Sequence, residues 1–164
     1  MTSSLRPPYH HDVSTNFRRL AAAVLLGLAA ALVFRPAPSR AETELISAPA
    51  ALELQHRQAV TIVDIRRPEE WRQSGYPSGA ERATIRSRTG ERGFLDRIAA
   101  ITGGNKAAPL ALICATGVRS KLATEILRRA GYRNVVDIGE GMFGSARGVG
   151  WMARQLPLSR CADC

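Results

Sequence analysis

Cys114 is the residue whose setting most clearly suggests chemistry. Four apolar residues, Leu110 to Ile113, lead into it, and Ala115-Thr116-Gly117-Val118-Arg119-Ser120 follow. The pattern predicts a strand, a tight loop of small residues and an amphipathic helix from Ser120. Open α/β sheets bind their ligands at the carboxyl ends of strands, where this cysteine falls. A loop that curls into a helix N-terminus turns several backbone N–H groups inward, and the helix dipole adds positive potential. Such surroundings favour the thiolate, the nucleophilic form of cysteine. Gly117 relaxes the steric limits of a tight turn, and Arg119 brings a fixed positive charge to the loop. The competing reading is a core cysteine at a strand end, placed there for packing alone.

The elements that must position this loop follow from periodicity. Ser47 caps a helix with Pro49 in its first turn, running to about Gln58. Val60 to Ile65 is a β-branched run that reads as a buried parallel strand, with Asp64 and Arg66 near its carboxyl end. Pro68-Glu69-Glu70-Trp71 opens a short helix with its acids at the positive end, and Gly75 to Ala80 is turn-rich. Ala83-Thr84-Ile85 suggests a short strand. Phe94, Leu95, Ile98, Ala99 and Ile101 fall at helical spacing, and Thr102-Gly103-Gly104-Asn105 ends that helix. From Ser120 to Ala130, Leu122, Ala123, Ile126, Leu127 and Ala130 share one side of a helix that Gly131 stops. Asn134 to Ile138 is a further strand, Gly139 to Gly150 a glycine-rich loop, and Trp151 to Leu156 a last helical turn or two. Alternating apolar β runs and helices predict an α/β fold, a parallel sheet with helices on both faces.

Three segments carry a family resemblance. Val63-Asp64-Ile65-Arg66-Arg67-Pro68-Glu69-Glu70-Trp71 resembles the first signature of the rhodanese (sulfurtransferase) family. Ile113 to Ser120 resembles its active-site loop. Val136-Asp137-Ile138-Gly139-Glu140-Gly141-Met142 is similar to its closing strand and glycine turn. Their order and spacing fit one rhodanese-like domain over 48–157, similar to the small exported single-domain rhodaneses of bacteria. One segment departs from the family pattern: Gly75-Tyr76-Pro77-Ser78-Gly79-Ala80 stands where members often carry Gly-His-Ile-Pro-Gly-Ala. The departure touches the rim of the site, whereas the transferred sulfur is carried by the cysteine.

The resemblance implies a sulfurtransferase with Cys114 as nucleophile. The thiolate takes the outer sulfur of thiosulfate or a persulfide donor, and the Cys114 persulfide passes it to cyanide or a thiol in a two-step covalent cycle. The N–H groups of Ala115, Thr116, Gly117, Val118, Arg119 and Ser120 would hold the anion. Arg119 would steer the donor's sulfonate end or brace the loop. Asp64 and Arg66 would support the loop's surroundings, with Arg66 pairing to Glu69 or Glu70, the alternative being a contact of Arg66 with substrate. This chemistry needs no metal and no cofactor. His56, on a helix well before the site, reads as a surface residue.

Two rival functions use the same loop. One is a sulfane-sulfur carrier without turnover of its own, which would hand sulfur to a partner protein. The other is a cysteine-dependent phosphatase or arsenate reductase. Those enzymes resemble Cys-x5-Arg, whereas Arg119 lies five residues after Cys114 and makes Cys-x4-Arg, a smaller cradle.

Residues 1–41 read as a leader. Arg18-Arg19 precede an uncharged run from Leu20 to Phe34, about 22 Å long as a helix. A bilayer core of roughly 30 Å is thicker, and Ser39-Arg40-Ala41 places small residues where a signal peptidase cuts. A periplasmic or secreted protein is expected, the alternative being an uncleaved anchor facing the periplasm. Residues 42–47 are a flexible lead-in and 158–164 a C-terminal tail. The full chain has a net charge of +9. Removing 1–41 takes Arg6, Arg18, Arg19, Arg35 and Arg40 but only one acid, Asp12, so the remainder stays basic. That suits a small anionic donor. The basic residues are scattered without an aromatic-rich surface strand, which argues against nucleic acid. Cys161 and Cys164 close the chain. They form a local or intermolecular disulfide, or belong to a tail without catalytic consequence, and Cys114 is left as the odd, reactive thiol.

Overall fold

The structure, a computed structural model, describes residues 44–162 and residue 164. The leader expected over 1–41 lies outside the described residues. Five strands form one parallel sheet: β1 (Leu45–Ile46), β2 (Thr61–Asp64), β4 (Glu81–Arg82), β5 (Leu110–Ile113) and β6 (Val135–Ile138), in the order β1-β6-β5-β2-β4. Four helices accompany it among the described residues: α1 (Ala48–His56), α2 (Pro68–Ser74), α3 (Gly90–Thr102) and α4 (Val118–Arg129). A separate antiparallel pair joins β3 (Tyr76–Pro77) to β7 (Leu158–Ser159).

The β-branched and leucine runs are buried because both faces of the sheet are covered, as the parallel assignment required. On one face Val63, Ile65, Leu110, Leu112 and Val135 pack against Phe94 and Ile98 of α3 and Ala123, Ile126 and Leu127 of α4. On the other, Ile62, Ala111, Ile113 and Ile138 meet Ala48 and Ala51 of α1 and the buried Trp151. The expected α/β architecture with helices on both faces is therefore the observed one.

Four local expectations differ from the structure. The lead-in before Ser47 supplies strand β1, because Leu45 and Ile46 pair in register with Asp137 and Ile138 at the sheet edge. The short strand expected at Ala83–Ile85 is shifted to Glu81–Arg82. The amides of Ala83 and Ile85 still bond to the carbonyls of Asp64 and Ile65, but β2 ends at Asp64 and the ladder stops with it. Helix α4 begins at Val118, two residues early, because Gly117 adopts φ 80° and turns the chain directly into the helix. Leu122 is half exposed, off the buried face it was assigned to. The C-terminal tail is part of the fold: β7 lies on β3, and a Cβ on Gly75 would come within 2.7 Å of the Ser159 carbonyl.

Glu140 fastens the glycine-rich loop to the rest. It is buried and accepts from the Ala48 amide at 2.6 Å, the Gly150 amide at 2.9 Å and Arg154 Nε at 2.9 Å. Burial pushes its carboxyl up, but these donors outweigh that and hold it below the ordinary carboxylate value. Ala48 is the first residue of α1, so Glu140 also sits at the positive end of that helix. Glu140→Ala leaves two main-chain amides without their acceptor. We expect it to cost at least about 1–3 kcal/mol, read as a lower midpoint in urea denaturation with an unchanged slope.

Candidate active site

Cys114 immediately follows β5 at the carboxyl edge of the sheet, and its side chain is almost fully covered. Its Sγ lies 3.5 Å from the Ser120 hydroxyl. Ser120 is the third residue of α4, so this contact sets the sulfur against the N-terminal end of that helix. The amides of Val118, Arg119 and Ser120 belong to the first turn, where an α-helix leaves its N–H groups without internal partners.

The loop before the helix is arranged the same way. The Cys114 carbonyl accepts from the Met142 amide and the Ala115 carbonyl from the Phe143 amide, both at 2.9 Å. In a trans peptide the C=O and the following N–H point in opposite directions. The amides of Ala115 and Thr116 are therefore turned away from residues 142 and 143. Among the described residues, no acceptor takes the amides of residues 115 to 120. Two glycines permit the close approach. A Cβ on Gly117 would stand 2.1 Å from the Gly139 carbonyl, and one on Gly141 would stand 2.5 Å from the Ala115 carbonyl. Both have φ in the left-handed region, 80° and 66°.

Arg119 braces the loop. Its guanidinium makes a two-pronged bond to Glu70 of α2, at 2.7 and 2.6 Å. Glu70 also accepts from the Arg67 amide at 3.0 Å, which caps α2. The Arg119 bond is the largest reason that the Glu70 carboxyl is lowered to about 2, and Glu70 in turn raises Arg119. The sequence suggested Glu69 or Glu70 as partners of Arg66. Arg66 instead pairs with Asp64, Nη2 to Oδ2 at 2.7 Å, with both side chains fully buried. The remaining donors of Arg66 go to the Ser74 hydroxyl and the Gly75 carbonyl, at 2.7 and 2.6 Å. The reason is local: the Asp64 carboxylate also accepts the Arg66 amide, so the two residues close a compact turn at the end of β2. The Arg66 guanidinium carbon lies 5.8 Å from the centre of the Phe143 ring, next to the segment that holds the loop's carbonyls.

Cys114 thus meets Ser120 at the start of α4, the amides of 115–120 are left open in the loop and first turn, Arg119 ties that turn to α2, and Asp64 and Arg66 support the neighbouring turn. Glu70, Glu140, Met142 and Phe143 complete the arrangement. Sequence reasoning did not assign them to the site, because a main-chain contact leaves no residue signature. A carboxylate that reaches across forty or more residues leaves none either. His56 is exposed on α1. Cys161 and Cys164 form a local disulfide, with Arg82 Nη1 2.6 and 2.7 Å from the two sulfurs.

The Glu70–Arg119 pair has a pH consequence. A carboxyl held low in the folded state adds stability that is complete above its ordinary value of 4.5 and is lost as pH falls toward about 2. The stability difference between wild type and Glu70→Gln should be largest near pH 6 and shrink as the pH falls toward 2, measured by urea denaturation across that range.

Comparisons with known proteins bear on the family and the fold. The family description of the Rhodanese-like domain matches residues 47–146. An uncharacterized protein of Rickettsia conorii is 30% identical over 98 residues, which are 58% of this chain and 80% of that protein. Among solved structures, the polysulfide-sulfur transferase homodimer of Wolinella succinogenes superposes with a TM-score of 0.56 at 23% identity, covering 89% of this chain and 93% of that one. A Rhodopseudomonas palustris protein of unknown function, described as a possible tyrosine phosphatase, gives a TM-score of 0.50 at 25% identity, covering 71% and 85%. A strand-end cysteine under a loop of unspent amides, in this order of strands and with this family match, makes the chain a member of the rhodanese-like domain family.

Proposed function

We propose that this protein is a sulfurtransferase that moves sulfane sulfur through a persulfide on Cys114. The observation that carries the proposal is the run of six main-chain amides, residues 115 to 120, that no acceptor among the described residues takes, beside a sulfur at a helix N-terminus. A persulfide anion is a ligand such a cradle can satisfy. The Cys114 thiolate attacks the outer sulfur of thiosulfate. A new S–S bond forms, the donor's S–S bond breaks, and sulfite leaves with the bonding pair. Cyanide or a thiolate then attacks the outer sulfur of the persulfide and returns Cys114 as the thiolate. Cys114 is 1% exposed, so a terminal sulfur entering end-on suits the site better than a bulky group.

Arg119 bears on the phosphatase alternative. In a phosphate-binding loop the arginine must face the bound oxyanion, whereas here both of its prongs are held by Glu70. Together with the shorter Cys-x4-Arg spacing, this favours sulfur over phosphate. We further propose an exported protein, on the strength of the leader pattern in residues 1–41, with a small anionic donor and a thiol or cyanide as acceptor.

Intact-protein mass spectrometry after thiosulfate treatment tests the proposal. Wild type should gain one sulfur, lose it on adding cyanide, and yield thiocyanate catalytically, whereas Cys114→Ala gains none. Stoichiometric loading with no turnover would reduce the protein to a sulfur carrier. No loading, together with hydrolysis of an aryl phosphate that is lost in Cys114→Ser, would replace the proposal with a phosphatase.

A further inference from the structure

The disulfide between Cys161 and Cys164 ties no two elements together. The cysteines stand three positions apart, beyond the last strand. A loop this short also constrains the unfolded chain little, because the closure entropy that a cross-link removes grows with loop length. The fold nevertheless delivers the pair to a built place. β7 lies on β3 and ends two residues before Cys161. Arg72 of α2 donates to the Cys164 carbonyl. Arg82, the last residue of β4, sets its Nη1 2.6 Å from Cys161 Sγ and 2.7 Å from Cys164 Sγ. Two rings steady that guanidinium, whose carbon is 4.8 Å from the ring centre of Tyr76 on β3 and 5.9 Å from that of Trp71 on α2. Both cysteines remain partly exposed. A disulfide sulfur is neutral and accepts weakly, whereas a thiolate takes a charge-assisted bond about twice as strong. A cation placed on both sulfurs therefore favours the reduced pair over the oxidised one.

We propose that Cys161 and Cys164 form a second reactive site, a dithiol–disulfide couple that exchanges with thiol reductants, and that Arg82 stabilises its leaving thiolate. The thiolate of one reductant molecule attacks a sulfur of the pair. A mixed disulfide forms, the bond between Cys161 and Cys164 breaks, and the other cysteine leaves as a thiolate beside Arg82. A second reductant thiolate then attacks the reductant's own sulfur in the mixed disulfide. Oxidised reductant departs, and the first cysteine is released as a thiolate. It takes one of the two protons that the reductant gave up, and the other goes to solvent. Two electrons thus pass from two thiols to the pair, and an oxidised thiol reverses the sequence. Arg82 contacts both sulfurs, so it serves whichever cysteine leaves. Arg82 is in register with Asp64, and Asp64 with Ile113, the residue before Cys114. The cation of the couple therefore belongs to a strand two places from β5, at the same carboxyl edge of the sheet. The inference does not depend on a persulfide at Cys114.

The test is equilibration of the full chain in millimolar glutathione at varied ratios of its reduced and oxidised forms. Free thiols are trapped with iodoacetamide, and the C-terminal peptide is read by mass spectrometry, which keeps Cys114 out of the count. The wild-type pair should pass from disulfide to dithiol within this series. Arg82→Gln should shift the equilibrium toward the disulfide by about tenfold or more, the effect of losing one hydrogen bond to a charged group. Arg82→Lys keeps the cation and should stay nearer wild type. A second comparison needs no variant, so it decides the matter if Arg82→Gln fails to fold. After reduction, the native pair should alkylate at neutral pH about tenfold faster than the same chain unfolded in urea, where the Arg82 contact is lost. Three results would overturn the proposal. One is a wild-type pair that stays oxidised across the glutathione series and opens only to dithiothreitol. Another is a folded Arg82→Gln whose equilibrium coincides with wild type. The third is an alkylation rate no faster in the native chain than in urea.

Discussion

A main-chain N–H that meets no acceptor inside the protein is available to something outside it, and among the described residues six in succession, 115 to 120, are in that condition in the loop and first helical turn that follow one cysteine. The cause lies in the peptide planes. Two carbonyls of the loop are taken by the amides of Met142 and Phe143, which fixes those planes and turns the opposing N–H groups away from residues 142 and 143. The first turn of α4 contributes its own orphan amides to the same place. The loop's attraction for an anion is therefore a property of backbone geometry, and the side chains of residues 115 to 118 are small or point to solvent because they are not needed for it.

Holding six amides open requires that the loop not relax, and three charged contacts resist that. Arg119 ties the start of α4 to α2 through Glu70. Glu140 ties the glycine turn to the start of α1. Asp64 and Arg66 lock the end of β2, next to the cysteine strand, in a pair withdrawn completely from water. Such a buried pair is costly to break, because removing one partner strands the other's charge. The charges are spent on the frame, and the site itself is left to uncharged dipoles. This is the reverse of what Arg119 suggests when it is read as a lone cation five residues after the thiol.

Much of this was legible in the sequence because it is written in residue types. The apolar runs at 60–65, 110–113 and 134–138 gave the buried parallel strands, and the period of 3.6 over 94–101 gave α3. The cysteine between a strand and a glycine marked the site. What the sequence hid depends on partners distant along the chain. Glu70 could have served Arg66 as easily as Arg119, and only the packing of α2 against the loop decides. Leu45 and Ile46 are too short a run to announce a strand, and they form one because β6 offers an open edge. The docking of Leu158 and Ser159 on Tyr76 and Pro77 has no periodic signal at all. Asp137 sat in a motif quoted for its glycines, and its burial without a hydrogen-bond partner emerges only from the fold.

The direct test of the open-amide cradle is a crystal structure of the protein after exposure to thiosulfate. An added sulfur on Cys114, within hydrogen-bond distance of several N–H groups from residues 115 to 120, with Arg119 still clasped by Glu70, is the expected result. An added sulfur directed away from those amides, or a loop whose amides are satisfied by the protein itself, would contradict the account.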